Sequence, residues 1–193
     1  MVWGDHTRIV AGMATVALSL VCLTACAAGS GAAAGSGGGS DLTLAQTKSP
    51  VQLLRNEAAS RIDEFVVESV NETEDTSASC KTEAADPLGL SRSWMSSVEV
   101  SLKEGSAWRL SIVADELVAS FEKQGWIASR GAPSAVTYTG LKSETSAATI
   151  GLTVTTEDLA AGIPAKLQIT SKGPCVDTDG AESDEVKRLE IVD

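Results

Sequence analysis

The feature that most constrains this chain is its first 40 residues, an apolar run and a spacer that stand apart from the part able to fold. An uncharged run, IVAGMATVALSLVCLTAC from Ile9 to Cys26, leads into AAGSGAAAGSGGGS, from Ala27 to Ser40. The run is too apolar for the surface of a small domain, and the Gly/Ala/Ser stretch behaves as a flexible coil. Of 193 residues, about 150 remain for folding, enough for one ordinary domain.

Arg8 stands just before the run, which gives it the layout of a secretory signal peptide. The alternative is a retained transmembrane helix, since roughly 18 apolar residues just span a bilayer. Length does not separate the two, but the end of the run does. Leu23-Thr24-Ala25-Cys26 resembles the lipobox of bacterial lipoproteins, in which small residues before a cysteine admit the lipoprotein signal peptidase. The resemblance implies cleavage before Cys26, a diacylglyceryl thioether on its sulfur and a further acyl chain on its amine, with Cys22 lost in the discarded peptide. It also implies a place on the extracytoplasmic face of the cell membrane.

On this reading residues 1–25 are the signal peptide, 26–48 the lipidated cysteine and linker, and 49–193 a single globular domain with an acidic tail. Each buried methylene is worth about 0.8 kcal/mol, so two or more chains hold a protein stably where one holds it marginally. A flexible coil of roughly twenty residues spans about 25 Å, enough to lift a domain clear of the headgroups.

The formal net charge is −11, and because Asp5 and Arg8 cancel, the excess belongs to the exported part. Such a field repels phosphate backbones and anionic headgroups, which argues against nucleic-acid binding and for a body held off the bilayer. Solubility is the plainer use of so much acid.

Ser49-Pro50-Val51-Gln52 predicts a helix start, with serine and glutamine as a capping box and proline at the first helical position. Val51, Leu54, Ala58, Ile62, Phe65 and Val66 continue one apolar face towards Val70. The stretch from Asn71 to Gly89 is polar, acidic and closed by Pro87, and predicts a loop. Trp94, Val98, Val100 and Leu102 alternate with polar residues, the period of a strand with one wet face.

A second helix is predicted from Ser106 to Gln124, with Gly125 at the left-handed C′ position and Trp126 packing back on Phe121. WIASR, VTYTG, ATIGLTVTT and AKLQITS then read as four short strands of an antiparallel meander. The fold class is therefore α+β: a sheet of about five strands, the Trp94 strand included, with two helices on one face. EVKRLEIV in the tail fits a last helical turn or a frayed strand. The stretches SPVQLLRNEAASRI, SRSW, FEKQGW and SKGPC together resemble small actinobacterial lipoproteins of unassigned activity, a resemblance that supplies location and no catalytic residues.

With Cys26 consumed by lipid, Cys80 and Cys175 are left, and two cysteines in an exported protein are expected to pair. The bond would close nearly the whole fold, a loop for which chain entropy gives about 4 to 5 kcal/mol. A redox-active pair is the alternative, but the CxxC spacing is absent.

The single histidine, His6, falls in the leader. Histidine-based triads, histidine zinc ligands and histidine acid/base catalysis are thus excluded from the exported part. GxSxG, Walker A and GxGxxG motifs are absent. Carboxylates such as Glu68, Glu72, Glu74, Asp75, Asp177, Asp179, Glu182, Asp184 and Glu185 lie in polar runs, where solvated charge is the commoner role. Asp177-Thr-Asp179-Gly180 matches part of a calcium loop, with its glycine two positions early. Trp94, Trp108 and Trp126 suit core packing, or alternatively a sugar-stacking or partner platform.

No catalytic residue, cofactor or metal is expected. The expected function is a monomeric, membrane-tethered, non-enzymatic interaction or accessory module, its protein or small apolar partner unspecified. The alternatives are a carrier of apolar ligands, which needs a lined cavity, and a carboxylate hydrolase, which needs two acids facing each other in a cleft.

Overall fold

The computed structural model describes residues 42–103, 107–156 and 165–191. Helix α1 (Leu44–Ser60) leads into β1 (Val67–Ser79) and β2 (Ser91–Leu102). A single 3-10 turn, Ala107–Arg109, precedes α2 (Leu110–Glu122), and β3 (Ile127–Arg130), β4 (Val136–Lys142), β5 (Thr149–Thr155) and β6 (Lys166–Lys172) follow. Strand β7 (Val176–Asp177) and helix α3 (Asp184–Glu190) complete the domain. The sheet is antiparallel with order β1-β2-β6-β5-β4-β3, and β7 pairs with the start of β2. The fold is α+β with one disulfide, and the predicted meander is β3 to β6. Among the described residues seven strands stand where five are expected, the additional two being β1 and β7.

Helix α1 begins earlier than Ser49. Thr43 is its N-cap and forms a full capping box with Gln46, so Pro50 lies inside the helix. Two overlapping boxes compete here, and the earlier one wins because it brings Leu44 and Thr47 onto the face that Val51 and Ala58 already bury. Residues Leu44 to Lys48, expected in the linker, are thus helical and packed. The helix also stops sooner than Val70. The Asp63 carboxylate accepts a hydrogen bond from the Phe65 amide at 2.9 Å, a local bond that competes with continued helix. Ile62 and Val66 still reach the core from the turn, whereas Phe65 is 77% exposed.

The predicted loop from Asn71 contains most of β1 instead. From Asn71 onward its covered-face positions are polar because their partners are polar, so no apolar alternation marks this part of the strand. Glu72 meets Arg55, Asp75 accepts from the Trp94 indole at 2.8 Å, and Ser77 accepts from Arg92 at 2.7 Å. As an edge strand it carries acids that discourage pairing with a second sheet.

Helix α2 ends as its sequence predicts. Gly125 has φ +86°, the Trp126 amide donates to the Phe121 carbonyl at 3.2 Å and the Gly125 amide to Glu122 at 3.0 Å. These are the two bonds of a Schellman motif. The Trp126 ring meets the Phe121 ring edge-on, with centroids 5.3 Å apart. The main core lies between α2, the end of α1 and the inward residues of β2, β4, β5 and β6. A smaller cluster gathers Leu44, Val51, Trp94, Val176 and Val186, so the tail helix α3 is part of the packed body through Val186. Gly173 lets α1 approach: a Cβ there would stand 3.1 Å from Val51 and 3.4 Å from Thr47.

Candidate functional site

Cys80 and Cys175 are joined, with Cα atoms 6.1 Å apart across 95 residues of sequence. Cys80 follows β1 and its amide donates to the Ser91 carbonyl at 2.8 Å. Cys175 precedes β7, which pairs with Ser91 and Arg92. The bond therefore gathers three segments at the start of β2. Cys26, the expected lipidation site, and His6 lie outside the described residues.

The covered face holds two arginines. Arg55, buried on α1, donates to Ser96 Oγ at 2.8 Å and pairs with Glu72. Arg92, buried on β2, donates to Ser77 and stands 3.8 Å from Glu190. Glu190, on α3, accepts from the Ser77 hydroxyl at 2.6 Å, the Ser77 amide at 3.0 Å and the Thr76 hydroxyl at 2.9 Å. Partial burial opposes its ionisation, but these donors and Arg92 outweigh burial and hold its pKa below the ordinary glutamate value. Lys48 fastens the other side of α3, donating to the Leu189 carbonyl at 2.6 Å while lying 4.5 Å from the Trp94 ring centroid. Amides of Ser91 and Leu90 hold Asp86 below the usual aspartate range and so fix the turn before β2. All of these groups find their partners inside the fold, as structural clamps do.

The acids of the tail line an open hollow of about 950 Å³ beside α3, with Asp179, Glu182, Asp184 and Glu185 on its walls. Asp184 and Glu185 occupy the first helical turn, where negative charge suits the helix dipole. Among the described residues no group of three or more acids, histidines and cysteines is placed to hold a metal ion. A smaller groove of about 450 Å³ runs along α1, lined chiefly by Leu42, Pro50, Val51, Leu53, Leu54 and Ala148. Between helices and sheet the space is filled by Trp94, Phe121, Leu152, Leu167 and Ile169, each at most 1% exposed.

The three tryptophans divide. Trp94 is fully buried, Trp126 packs on Phe121, and Trp108 is 71% exposed.

The sheet's other face offers a different surface. Helices α1 and α2 pack on Val98, Val100, Leu141, Ile150, Leu152, Leu167 and Ile169; the alternate positions point away from them. On β4 to β6 these are chiefly threonine, glycine, lysine and glutamine. Tyr138 is the aromatic residue among them, 55% exposed. Gly140 and Gly151 face each other across β4 and β5, and the Tyr138 ring lies down over the pair. A Cβ on Gly151 would stand 3.0 Å from Tyr138 Cε2, and one on Gly140 would stand 3.4 Å from Cε1. A side chain at position 151 would crowd the ring, whereas one at position 140 would only touch it at ordinary contact distance.

Tyr138 escaped notice in the sequence because the tryptophans were the obvious aromatics. The signal was present as Tyr-x-Gly in VTYTG and a glycine in the middle of the next strand.

No protein-family model, curated protein or solved structure matches the chain. Among the described residues no helix is long and apolar enough to cross a membrane.

Proposed function

We propose that this chain is a lipid-anchored protein of the extracytoplasmic membrane face whose folded domain is a non-catalytic binding module. The anchor rests on Leu23-Thr24-Ala25-Cys26 and the spacer after it. The observation that carries the binding role is the unequal use of the sheet: the Arg55 and Arg92 clamps and the main core lie on one face, while on β4 to β6 the other is mainly threonine, glycine, lysine and glutamine around the exposed Tyr138, with Ile127 and Val136 at its border. The Cys80–Cys175 bond is in keeping with export to an oxidising compartment.

Growth with an alkyne fatty acid tests the anchor. The protein should take the label, and Cys26→Ala should lose both the label and membrane attachment; a variant that keeps both overturns the anchor.

A second reading, a carrier of apolar ligands, is favoured by the groove along α1 with Leu42, Leu53 and Leu54 on its wall. Native mass spectrometry of the full chain purified from its own host separates the two. A co-purifying, non-covalent apolar molecule would favour the carrier, and the mass of the lipid-modified chain alone favours the binding module.

A further inference from the structure

We propose that the open sheet face around Tyr138 binds a polysaccharide of acidic pyranose units. The inference rests on the binding-module reading but is independent of the lipid anchor.

Three observations converge on that chemistry. The Tyr138 ring lies over the Gly140–Gly151 pair, with room made for it chiefly by Gly151. An aromatic face presented flat, instead of projecting, suits stacking against the C–H face of a sugar ring and is poorly shaped for insertion into a bilayer. Around it, Thr153 pairs directly with Tyr138 and Gln168 with Thr153, which sets a hydroxyl and an amide in a row beside the ring for hydrogen bonds to sugar hydroxyls. Sheet register then places Lys142 and Lys172 on the same face, towards one end of the patch, and Lys166 at the other.

The charge is the selective element. The chain has 26 acids against 15 Lys and Arg, yet the open-face positions of β3 to β6 carry Lys142, Lys166 and Lys172 and no acid. Lys166 is paired with Glu99 of β2 at 3.0 Å; Lys142 and Lys172 have no acidic partner within salt-bridge distance among the described residues. The acids of α3 and its flanking turn belong to the covered side. The Debye length is about 8 Å at physiological ionic strength, so their field is largely screened across the thickness of a helix layer and a sheet. A chain that is acidic overall thus turns a locally cationic, hydroxyl-rich patch of β4 to β6 outward, with Glu99 and Glu74 lying beyond it on β2 and β1. A neutral glycan would use the ring and leave the lysines idle, whereas an acidic one engages both.

The test is affinity electrophoresis of the full chain in nonionic detergent. Native gels would contain polygalacturonate, hydroxyethylcellulose or no polysaccharide, and a parallel sedimentation assay would use phosphatidylglycerol–phosphatidylcholine vesicles. Retardation by polygalacturonate is expected, at least about tenfold weaker in Tyr138→Ala, retained in Tyr138→Phe, and lost in the Lys142→Glu, Lys172→Glu double variant. The double variant leaves the ring and its glycines untouched, so it reads the face even if Tyr138→Ala is unstable. Trp108→Ala should bind as the parent does. Absence of retardation by polygalacturonate overturns the proposal, and so does equal retardation by hydroxyethylcellulose or retardation indifferent to the lysine substitutions. Vesicle binding that the double variant abolishes, without polygalacturonate binding, reassigns the face to a membrane. None of these outcomes bears on fatty-acid labelling at Cys26, so failure here leaves the anchor standing.

Discussion

Along β2, β5 and β6 neighbouring residues belong to two unlike surfaces. On one side Trp94, Val100, Leu152, Leu167 and Ile169 are shut away beneath helices, with Arg55 and Arg92 neutralised among them. On the other, Lys166 bonds Glu99 and Tyr138 lies over bare glycine backbone. The contrast teaches that stability is concentrated on one face. Substitutions on the covered side should unfold the domain, and those on the open side should change what it touches.

The largest effect should come from the covered core. Phe121→Ala removes a fully buried ring that meets both Trp126 and Arg61, and should cost about 3 to 5 kcal/mol in urea unfolding. A loss below about 1 kcal/mol would mean that the two faces share stability evenly.

Replacing Cys80 and Cys175 together by serine should cost about 2 to 5 kcal/mol, chiefly by freeing the unfolded chain. The measurement is the urea midpoint of the variant against the oxidised parent, and an unchanged midpoint would remove the disulfide from the account.

Glu190→Gln should cost about 1 kcal/mol, since an amide retains part of the bonding to Ser77 and Thr76 but loses the charge facing Arg92. The pH dependence carries more information. The pKa of Glu190 is lowered in the folded state, so the unfolded chain binds its proton more readily. Its contribution is therefore complete above the ordinary glutamate range, and it is lost as pH falls below about 4 and through the folded pKa. Asp86 acts in the same direction. Between about pH 5 and pH 3 the variant should lose less stability than the parent, and parallel pH curves would contradict the clamp.

The smallest effect should be on the open face. Thr153→Ala is expected to change stability by no more than about 0.5 kcal/mol, with an unchanged circular dichroism spectrum. A loss comparable to that of Phe121→Ala would erase the distinction between the faces.

The same contrast explains what the sequence made legible. Where packing is apolar it leaves a period, and α2, β2 and the β3 to β6 meander could be read from Leu117, Val100, Ile150 and their neighbours. Gly125 and Trp126 announced the end of α2 by local chemistry alone. Strand β1 left no such trace, because Glu72, Asp75 and Ser77 are matched to Arg55, Trp94 and Arg92, polar partners that give the strand no apolar period. The start of α1 was misplaced because Thr43 and Ser49 both open capping boxes, and only the tertiary fit of Leu44 decides between them. The Cys80–Cys175 bond could be inferred by counting thiols. The Tyr138 platform could not, since a lone tyrosine among threonines acquires meaning only when register brings Gly151 beneath it.

The central claim is that this disulfide-tied domain is exported and held at a membrane by Cys26. Its most direct test is thiol trapping on fractionated cells of the native host. The account predicts the mature chain in the membrane fraction, with Cys80 and Cys175 unreactive towards maleimide until a reductant is added. Recovery of the chain in the soluble cytosol, with both thiols alkylated at once, would contradict it.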